Sequence, residues 1–575
     1  MRRLPANAAQ PRDDTTSLQE SHLGSTDDRE RTPRMIRSTM SESPLTINAI
    51  LRHGRRVHAD SECVTFTGDG VRRASYRQVA GNADRLARAL QRLGVGPGDP
   101  VGTFMWNDQE HLEAYFAVPC MGAVLHTLNI RLAPEQLVFV VNHAKDRVVL
   151  VDSTLVPVLA PVASQLSTVE AWIVVGDGDA SALADTGRPV HRYHELLAAE
   201  EEGFDYPEPD ELAAASMCYT SGTTGDPKGV VYSHRSTYLH SLAVCTPSVL
   251  GLEPRDRALA IVPQFHASGW GLPYAAFLSG ASLLMPGRYL QAEPLARFIA
   301  AERPTVSAAV PTVWADLFRY GNDHELDVSS LRLVVCGGSA LPRSLMERFQ
   351  ERNGLRLIQG WGMTEMSPVG AVGHPPADAL PGSIDEMDWR ARTGRVIPGV
   401  ELRIVGDNGQ ELPRDGSAVG EIEVRGPWIT ASYWQDPAAE KFHDGWLRTG
   451  DVGTVTPNGY MQITDRAKDV IKSGGEWISS VELENALMAH PDVVEAAVIG
   501  IPDPRWDERP LACVVAGGET DPTGLKQFLA GYVAKWQVPE NWAFVDVIPK
   551  TSVGKFDKKA LRTQYEKGDL APLRV

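Results

Sequence analysis

From residue 45 onward the chain alternates two textures: segments with apolar residues at helical spacing, and short continuous apolar runs. The stretch 75–93, SYRQVAGNADRLARALQRL, recurs every three to four positions and stops at Gly94, which predicts a helix with a glycine end. Strand-like runs stand at 101–105, 147–151, 171–175, 257–262, 281–285 and 331–336, most of them continuously apolar, as strands covered on both faces by helices should be. Between about 400 and 464 the texture changes to alternating strands with turns (400–405, 420–425, 460–464), which predicts a small antiparallel barrel or sheet. Past 465 a helix over 480–488, strands at 493–499, 511–515 and 542–548, and a helix starting near Asp521-Pro522 read as a separate small α+β unit. Residues 1–44 are rich in Arg, Asp, Ser, Thr and Pro without apolar periodicity, so this segment is expected to be a disordered tail. Met35 and Met40 stand close to its end and are alternative starts to Met1.

Length and composition narrow the class. A chain of 575 residues suggests three or four domains at roughly 150 residues each. With 56 Lys and Arg against 73 Asp and Glu, the net charge of −17 disfavours general nucleic-acid binding. The six cysteines are scattered with no C-x-x-C pair, which suits a reducing cytoplasm rather than a disulfide framework or a zinc site. No apolar run approaches the ~20 residues of a membrane-spanning helix. The basic start MRRLP lacks the apolar segment of a signal peptide.

The most informative stretch is YTSGTTGDPKG, residues 219–229. It follows the apolar run 213–219, so it is expected on a strand-to-helix connection. Gly222, Gly225 and Gly229 let backbone amides approach an anion, Thr220, Ser221, Thr223 and Thr224 add hydroxyls, and Lys228 adds a cation. Together these suit a polyphosphate. A Walker A loop is excluded because Lys228 precedes Gly229 and follows Pro227.

With these residues the chain resembles the adenylate-forming superfamily of acyl-CoA synthetases, luciferases and peptide-synthetase adenylation domains. Matching stretches continue in order to Lys555, most similar to bacterial medium- and long-chain fatty acyl-CoA synthetases. The resemblance implies an α/β fold. A large N-terminal adenylation domain over 45–465, built of αβαβα-type sheets with a barrel-like subdomain near 400–464, precedes a small mobile C-terminal domain over 466–575. It also implies ATP, Mg²⁺ and coenzyme A as cofactors, a small carboxylic acid as partner, and, since some relatives are dimers, a homodimer.

The same resemblance assigns residues. In WGMTE, Glu365 corresponds to an Mg²⁺ ligand, together with Thr220, and Thr364 to a phosphate contact; Gln359, Gly360, Trp361 and Gly362 line the adenine pocket. Gly338, Ser339 and Ala340 present backbone to adenine, though Gly-Gly after a strand is by itself only a turn. Asp451, in WLRTGDVG, and Arg466 correspond to ribose contacts. His266 lies beside the acyl carboxylate and Trp270 gates a fatty-acid tunnel; without the family, a histidine among aromatics is a packed core residue. Lys468 is the pivot of the small domain, and Lys472 and Trp477 reach nucleotide and CoA. Lys555, in PKTSVGK, is the catalytic lysine; its chemistry stands on its own, because a cation between a carboxylate and the α-phosphate of ATP lets two anions meet.

The implied activity is an AMP-forming fatty acid–CoA ligase: acyl-AMP and pyrophosphate form first, then CoA displaces AMP. The competing readings are the same chemistry on an aryl acid or a small sulfur-containing acid, and a luciferase-like oxygenase. A non-catalytic adenylate-binding protein would have lost Lys555, Glu365 or the phosphate loop, and all are present.

Overall fold

The apolar runs build three sheets in the computed structural model, which describes residues 36, 38–220, 226–406, 408–474, 476–518, 520–551 and 554–575. Most of the expected disordered tail, 1–35 and 37, therefore lies outside the described residues. The first sheet has seven strands, ordered Val190–Arg192, Ala171–Val175, Val148–Asp152, Pro100–Phe104, Val124–Thr127, Ala214–Tyr219 and Gly229–Ser233. All of its pairs are parallel except the last. Its inner strands are sealed on both faces, as in Ala171–Val175, where every residue is buried, while the edge strand Val190–Arg192 is only half-buried. The flanking helix Tyr76–Arg92 starts where Ser75 and Gln78 complete a reciprocal capping box.

The second sheet has fourteen strands and changes character at Leu357–Gly362. On one side that strand runs parallel to Leu333–Cys336, and the sheet continues through Val306–Ala309, Arg257–Ala260, Ser282–Met285 and Glu62–Phe66. On the other side it runs antiparallel to Val369–Val372, leading through Gly394–Val396, Tyr460–Arg466, Trp446–Val455 and Gly420–Arg425 to Glu401–Val405. Of the two forms expected for 400–464, the described pairings are those of a sheet. It starts earlier than expected, at Val369, and continues from the parallel strands rather than standing apart.

The third sheet is confined to the C-terminal part. Its centre is the antiparallel pair Val493–Asp503 and Asp507–Ala516. Alternation divides this pair between two cores: Ala496, Val498, Ala512 and Val514 face the helices Ser480–Met488 and Pro522–Leu529, while Ala497, Ile499, Leu511 and Cys513 face the helix Lys558–Lys567. The strand expected at 542–548 is shorter, Asn541–Phe544. The molecule is thus a mixed α/β protein with a large N-terminal domain and a small C-terminal one. Among the described residues no helix is long and apolar enough to cross a membrane.

Candidate active site

The phosphate loop joins two strands, which corrects the expected strand-to-helix connection. Gly229–Ser233 returns antiparallel beside Ala214–Tyr219, and the helix His234–Cys245 begins only after Ser233, its N-cap. The branched Val230 and Val231 and the aromatic Tyr232 favour a pleated strand. Thr220 N–H donates to Lys228 O at 2.9 Å, and Lys228 N–H to Thr220 Oγ1 at 3.0 Å, closing the neck of the loop. A Cβ on Gly229 would be crowded there, 3.0 Å from the Tyr219 ring and 3.1 Å from Trp434 Cβ. Ser221, Gly222, Thr223, Thr224 and Gly225 lie outside the described residues. The Lys228 ammonium is 2.9 Å from Asp436 Oδ2.

Leu357–Gly362 delivers the WGMTE motif. Beyond it the short turn Thr364–Met366 buries Glu365, whose Oε1 accepts from the Tyr433 hydroxyl at 2.7 Å. Burial and the adjacent Glu365 push the Tyr433 hydroxyl well above its ordinary pKa, so it stays a donor. Thr364 O accepts from the Tyr232 hydroxyl at 2.7 Å. Among the described residues no Lys or Arg forms an ion pair with Glu365, and no group of three His, Cys, Asp or Glu gathers to hold a metal alone. A buried acid held by a neutral phenol fits Mg²⁺, a hard ion that uses one or two carboxylates and takes its other oxygens from phosphate and water.

Gln359 staples the neighbouring strand ends together. Its side-chain amide donates to Ser339 O at 3.1 Å and Gly360 O at 2.9 Å and accepts from Leu341 N–H at 2.6 Å. This fixes the turn at Gly338, whose φ of 91° is open to glycine. The Trp361 indole donates to Asp451 Oδ2 at 2.8 Å, while Arg466, directly opposite Asp451 across the strand pair, lies 3.3 Å from Oδ1. Each carboxylate oxygen keeps a free lone pair, as two neighbouring ribose hydroxyls would need.

His266 precedes a short turn, Ala267–Gly271, which contains Trp270 and in which all five residues have positive φ. Ala267 N–H donates to Cys218 Sγ at 3.1 Å, and the Trp270 ring rests on Gly337, where a Cβ would fall 2.6 Å from it. His266 Nδ1 is buried without a hydrogen-bond partner. Burial, and then the nearby Lys555 ammonium, pull the His266 imidazole down to about 3, so it is neutral at working pH.

Lys555 reaches this place from the far end of the chain. Gly554, at φ 80°, turns the backbone, and the loop is closed by Thr551 N–H donating to Lys555 O at 2.7 Å. Lys555 is half-buried and lines the cavity, and a Cβ on Gly338 would lie 3.5 Å from its Cε. Burial, and secondarily Arg466, push its ammonium down to about 8, against a smaller upward pull from Asp451 and Glu365.

A cavity of about 1050 Å³ takes in Thr220, Lys228, His266, Trp270, Gly338, Ser339, Ala340, Gln359, Gly360, Trp361, Gly362, Thr364, Glu365, Asp451, Arg466, Lys468 and Lys555. Lys472 and Trp477 do not line it. They pair across the hairpin of Ile471–Ser473 and Glu476–Ile478, where both are exposed. The sequence missed Tyr433 and Asp436, which touch Glu365 and Lys228.

The family model for AMP-binding enzymes matches residues 51–434, and that for the AMP-binding enzyme C-terminal domain matches 482–555. The chain belongs to the AMP-binding enzyme family. The 3-methylmercaptopropionyl-CoA ligase of Ruegeria lacuscaerulensis is 44% identical over 92% of this chain and 98% of its own. The long-chain-fatty-acid–CoA ligase of Thermus thermophilus is 45% identical over 92% and 97%. Among solved structures, the anthranilate CoA ligase AuaEII with anthranoyl-AMP superposes with a TM-score of 0.82 at 28% identity, covering 91% of this chain and 98% of that one. This AMP-binding enzyme is an acyl-CoA ligase of the AMP-forming, acid–thiol class, working with ATP, Mg²⁺ and coenzyme A.

Proposed function

We propose that this enzyme activates a medium- or long-chain fatty acid. The observation that carries the reading is the set of aliphatic side chains that line the same cavity as His266 and Trp270: Val244, Val249, Leu250, Val262, Leu272 and Val335. Such a lining gains by enclosing methylene groups, each worth about 0.8 kcal/mol when fully buried. The fatty-acid ligase from Thermus thermophilus supports it. The second reading is a small thioether acid, favoured by the 44% identity to the methylmercaptopropionyl-CoA ligase.

In this reading the acid's carboxylate attacks the α-phosphorus of ATP, and pyrophosphate leaves. Positioning and charge neutralisation carry the step. Lys555 lies between carboxylate and α-phosphate, and the neutral His266 orients the carboxylate. Thr220, Lys228, Thr364 and the glycine loop hold the phosphates. Gln359, Gly360, Trp361, Gly362 and the backbone of Gly338, Ser339 and Ala340 line the adenine, while Asp451 and Arg466 take the ribose. Thr220 and Glu365 would hold Mg²⁺, which neutralises phosphate charge. The part from 466 then rotates about Lys468 relative to the domain 45–465, withdrawing Lys555 and bringing the exposed Lys472 and Trp477 toward nucleotide and CoA. The CoA thiol attacks the acyl carbon and AMP leaves. Use of ATP and CoA, with six free cysteines, supports a cytoplasmic setting; a homodimer is the assembly to test by sedimentation.

The deciding experiment is CoA-dependent AMP formation across C4 to C18 fatty acids, several aryl acids and 3-methylmercaptopropionate. kcat/KM is expected to rise with chain length into the medium or long range. A maximum at the thioether acid transfers the assignment to the second reading, and a maximum at aryl acids overturns both.

A further inference from the structure

The Glu365 carboxylate and the Lys228 ammonium, two chemically opposite groups of the proposed polyphosphate site, meet on one side chain that neither motif contains. The Tyr433 hydroxyl donates to Glu365 Oε1 at 2.7 Å, and Lys228 Nζ stands 5.0 Å from the centre of the same ring. The ring is 6% exposed and wedged in a small apolar cluster with Cys218, Val230, Tyr232 and Ala438, so it cannot swing away. Its backbone segment is tied to the same two motifs. Thr430 N–H donates to Glu365 O and Trp434 N–H to Gly229 O, both at 2.8 Å. Asp436, whose backbone bridges back to Tyr433, pairs with the Lys228 ammonium at 2.9 Å.

From this juxtaposition we infer that Tyr433 is a positioning residue, setting Glu365 and Lys228 in place for the metal-bound polyphosphate. The inference rests on the proposed role of Glu365 toward Mg²⁺. The hydroxyl occupies one carboxylate oxygen and so fixes the rotation of the group, leaving the other oxygen to face the ion. The electron-rich face of the ring draws the ammonium to the same edge of the site. Groups fixed in advance need less rearrangement when nucleotide arrives, and the partner that orients a metal ligand commonly accounts for tenfold or more in metal affinity.

Tyr433→Phe isolates the effect, because it keeps the ring under Lys228 and removes only the hydroxyl. Mn²⁺ is titrated into enzyme bound to a non-hydrolysable ATP analogue and followed by electron paramagnetic resonance. Binding is expected to weaken about tenfold, with thioester formation from supplied acyl-AMP within about twofold of wild type and the unfolding temperature nearly unchanged. Unaltered Mn²⁺ affinity overturns the inference. So does a loss spread equally over Mn²⁺ binding, thioester formation and thermal stability, which would make Tyr433 merely structural. Glu365→Gln in the same titration separates the layers. If it binds Mn²⁺ as wild type does, the metal role of Glu365 has failed. If it loses binding while Tyr433→Phe does not, only the role of Tyr433 has failed.

Discussion

At the scale of single residues, the cavity sets two opposite protonation states side by side. Burial lowers both Lys555, to about 8, and His266, to about 3, because it disfavours the charged form of each. The lysine therefore remains an ammonium at neutral pH and loses its proton as pH rises through about 8, while the imidazole carries no charge in the working range. If the ammonium brings carboxylate and α-phosphate together, kcat/KM for pyrophosphate release should be level near pH 7 and fall toward tenfold per unit above about pH 8. Thioester formation from supplied acyl-AMP should show no such fall, since a higher pH only makes the CoA thiol a better nucleophile. An alkaline fall of equal size in both half-reactions would contradict the assignment. Lys555, Glu365 and Asp451 were singled out in the sequence because each stands in a short motif that resembles the family's. Tyr433 was not: it meets Glu365 from 68 positions away, and nothing around it signals an anion or a metal.

At the scale of elements, the turn Ala267–Gly271 carries the most evident conformational tension. Ala267, Ser268 and Trp270 hold φ values of 39°, 40° and 55°, each costing an L-residue about 1–2 kcal/mol relative to the right-handed region. The hydrogen bond from Ala267 N–H to Cys218 Sγ and the seat of Trp270 on Gly337 hold the turn against that cost. Ser268→Gly removes one Cβ from this region, so unfolding free energy should rise by up to about 1 kcal/mol. The freed turn should hold Trp270 less firmly, and KM for the acid should increase several-fold while KM for ATP stays. Lower stability in a denaturant titration would show that the turn is unstrained. Little of this was readable beforehand, because PQFHASGW contains too few glycines to announce five left-handed residues. The regular elements were readable where an unambiguous signal marked them: the run 171–175 and the helix Ser480–Met488 occur as expected, and Asp521 caps the helix that begins at Pro522. The phosphate loop was placed before a helix because its glycines and lysine dominate the local pattern, while the three strand-forming residues after Gly229 decide the outcome by pairing with Ala214–Tyr219.

At the scale of the whole molecule, the proposed two-step reaction needs an arrangement that holds Lys555 in the cavity yet can be left. A buried polar chain spans the link at that point. Asp465, 1% exposed and on the N-terminal side of Lys468, accepts through Oδ2 from both the backbone N–H and the hydroxyl of Ser480, the first residue of the helix Ser480–Met488. The Ser480 hydroxyl in turn accepts from the Lys558 ammonium at 2.6 Å, and Lys558 pairs with Glu484 at 2.7 Å. Lys558 follows Lys555 by one short loop, so the bonds made by Ser480 bear directly on whether the catalytic loop stays in place. Rotation about Lys468 would leave the Lys558–Glu484 pair intact, since both partners move together, and would break the bonds to Asp465. A hydrogen bond to a charged group is worth about 1.5–3 kcal/mol, enough to shift a two-state balance tenfold or more. Ser480→Ala removes the hydroxyl bond and retains the backbone one. Pyrophosphate formation should therefore slow about tenfold, while thioester synthesis from supplied acyl-AMP holds or quickens, because its arrangement no longer competes with so firm an alternative. Equal slowing of both half-reactions would mean that the Asp465–Ser480–Lys558 chain stabilises the fold without favouring either arrangement.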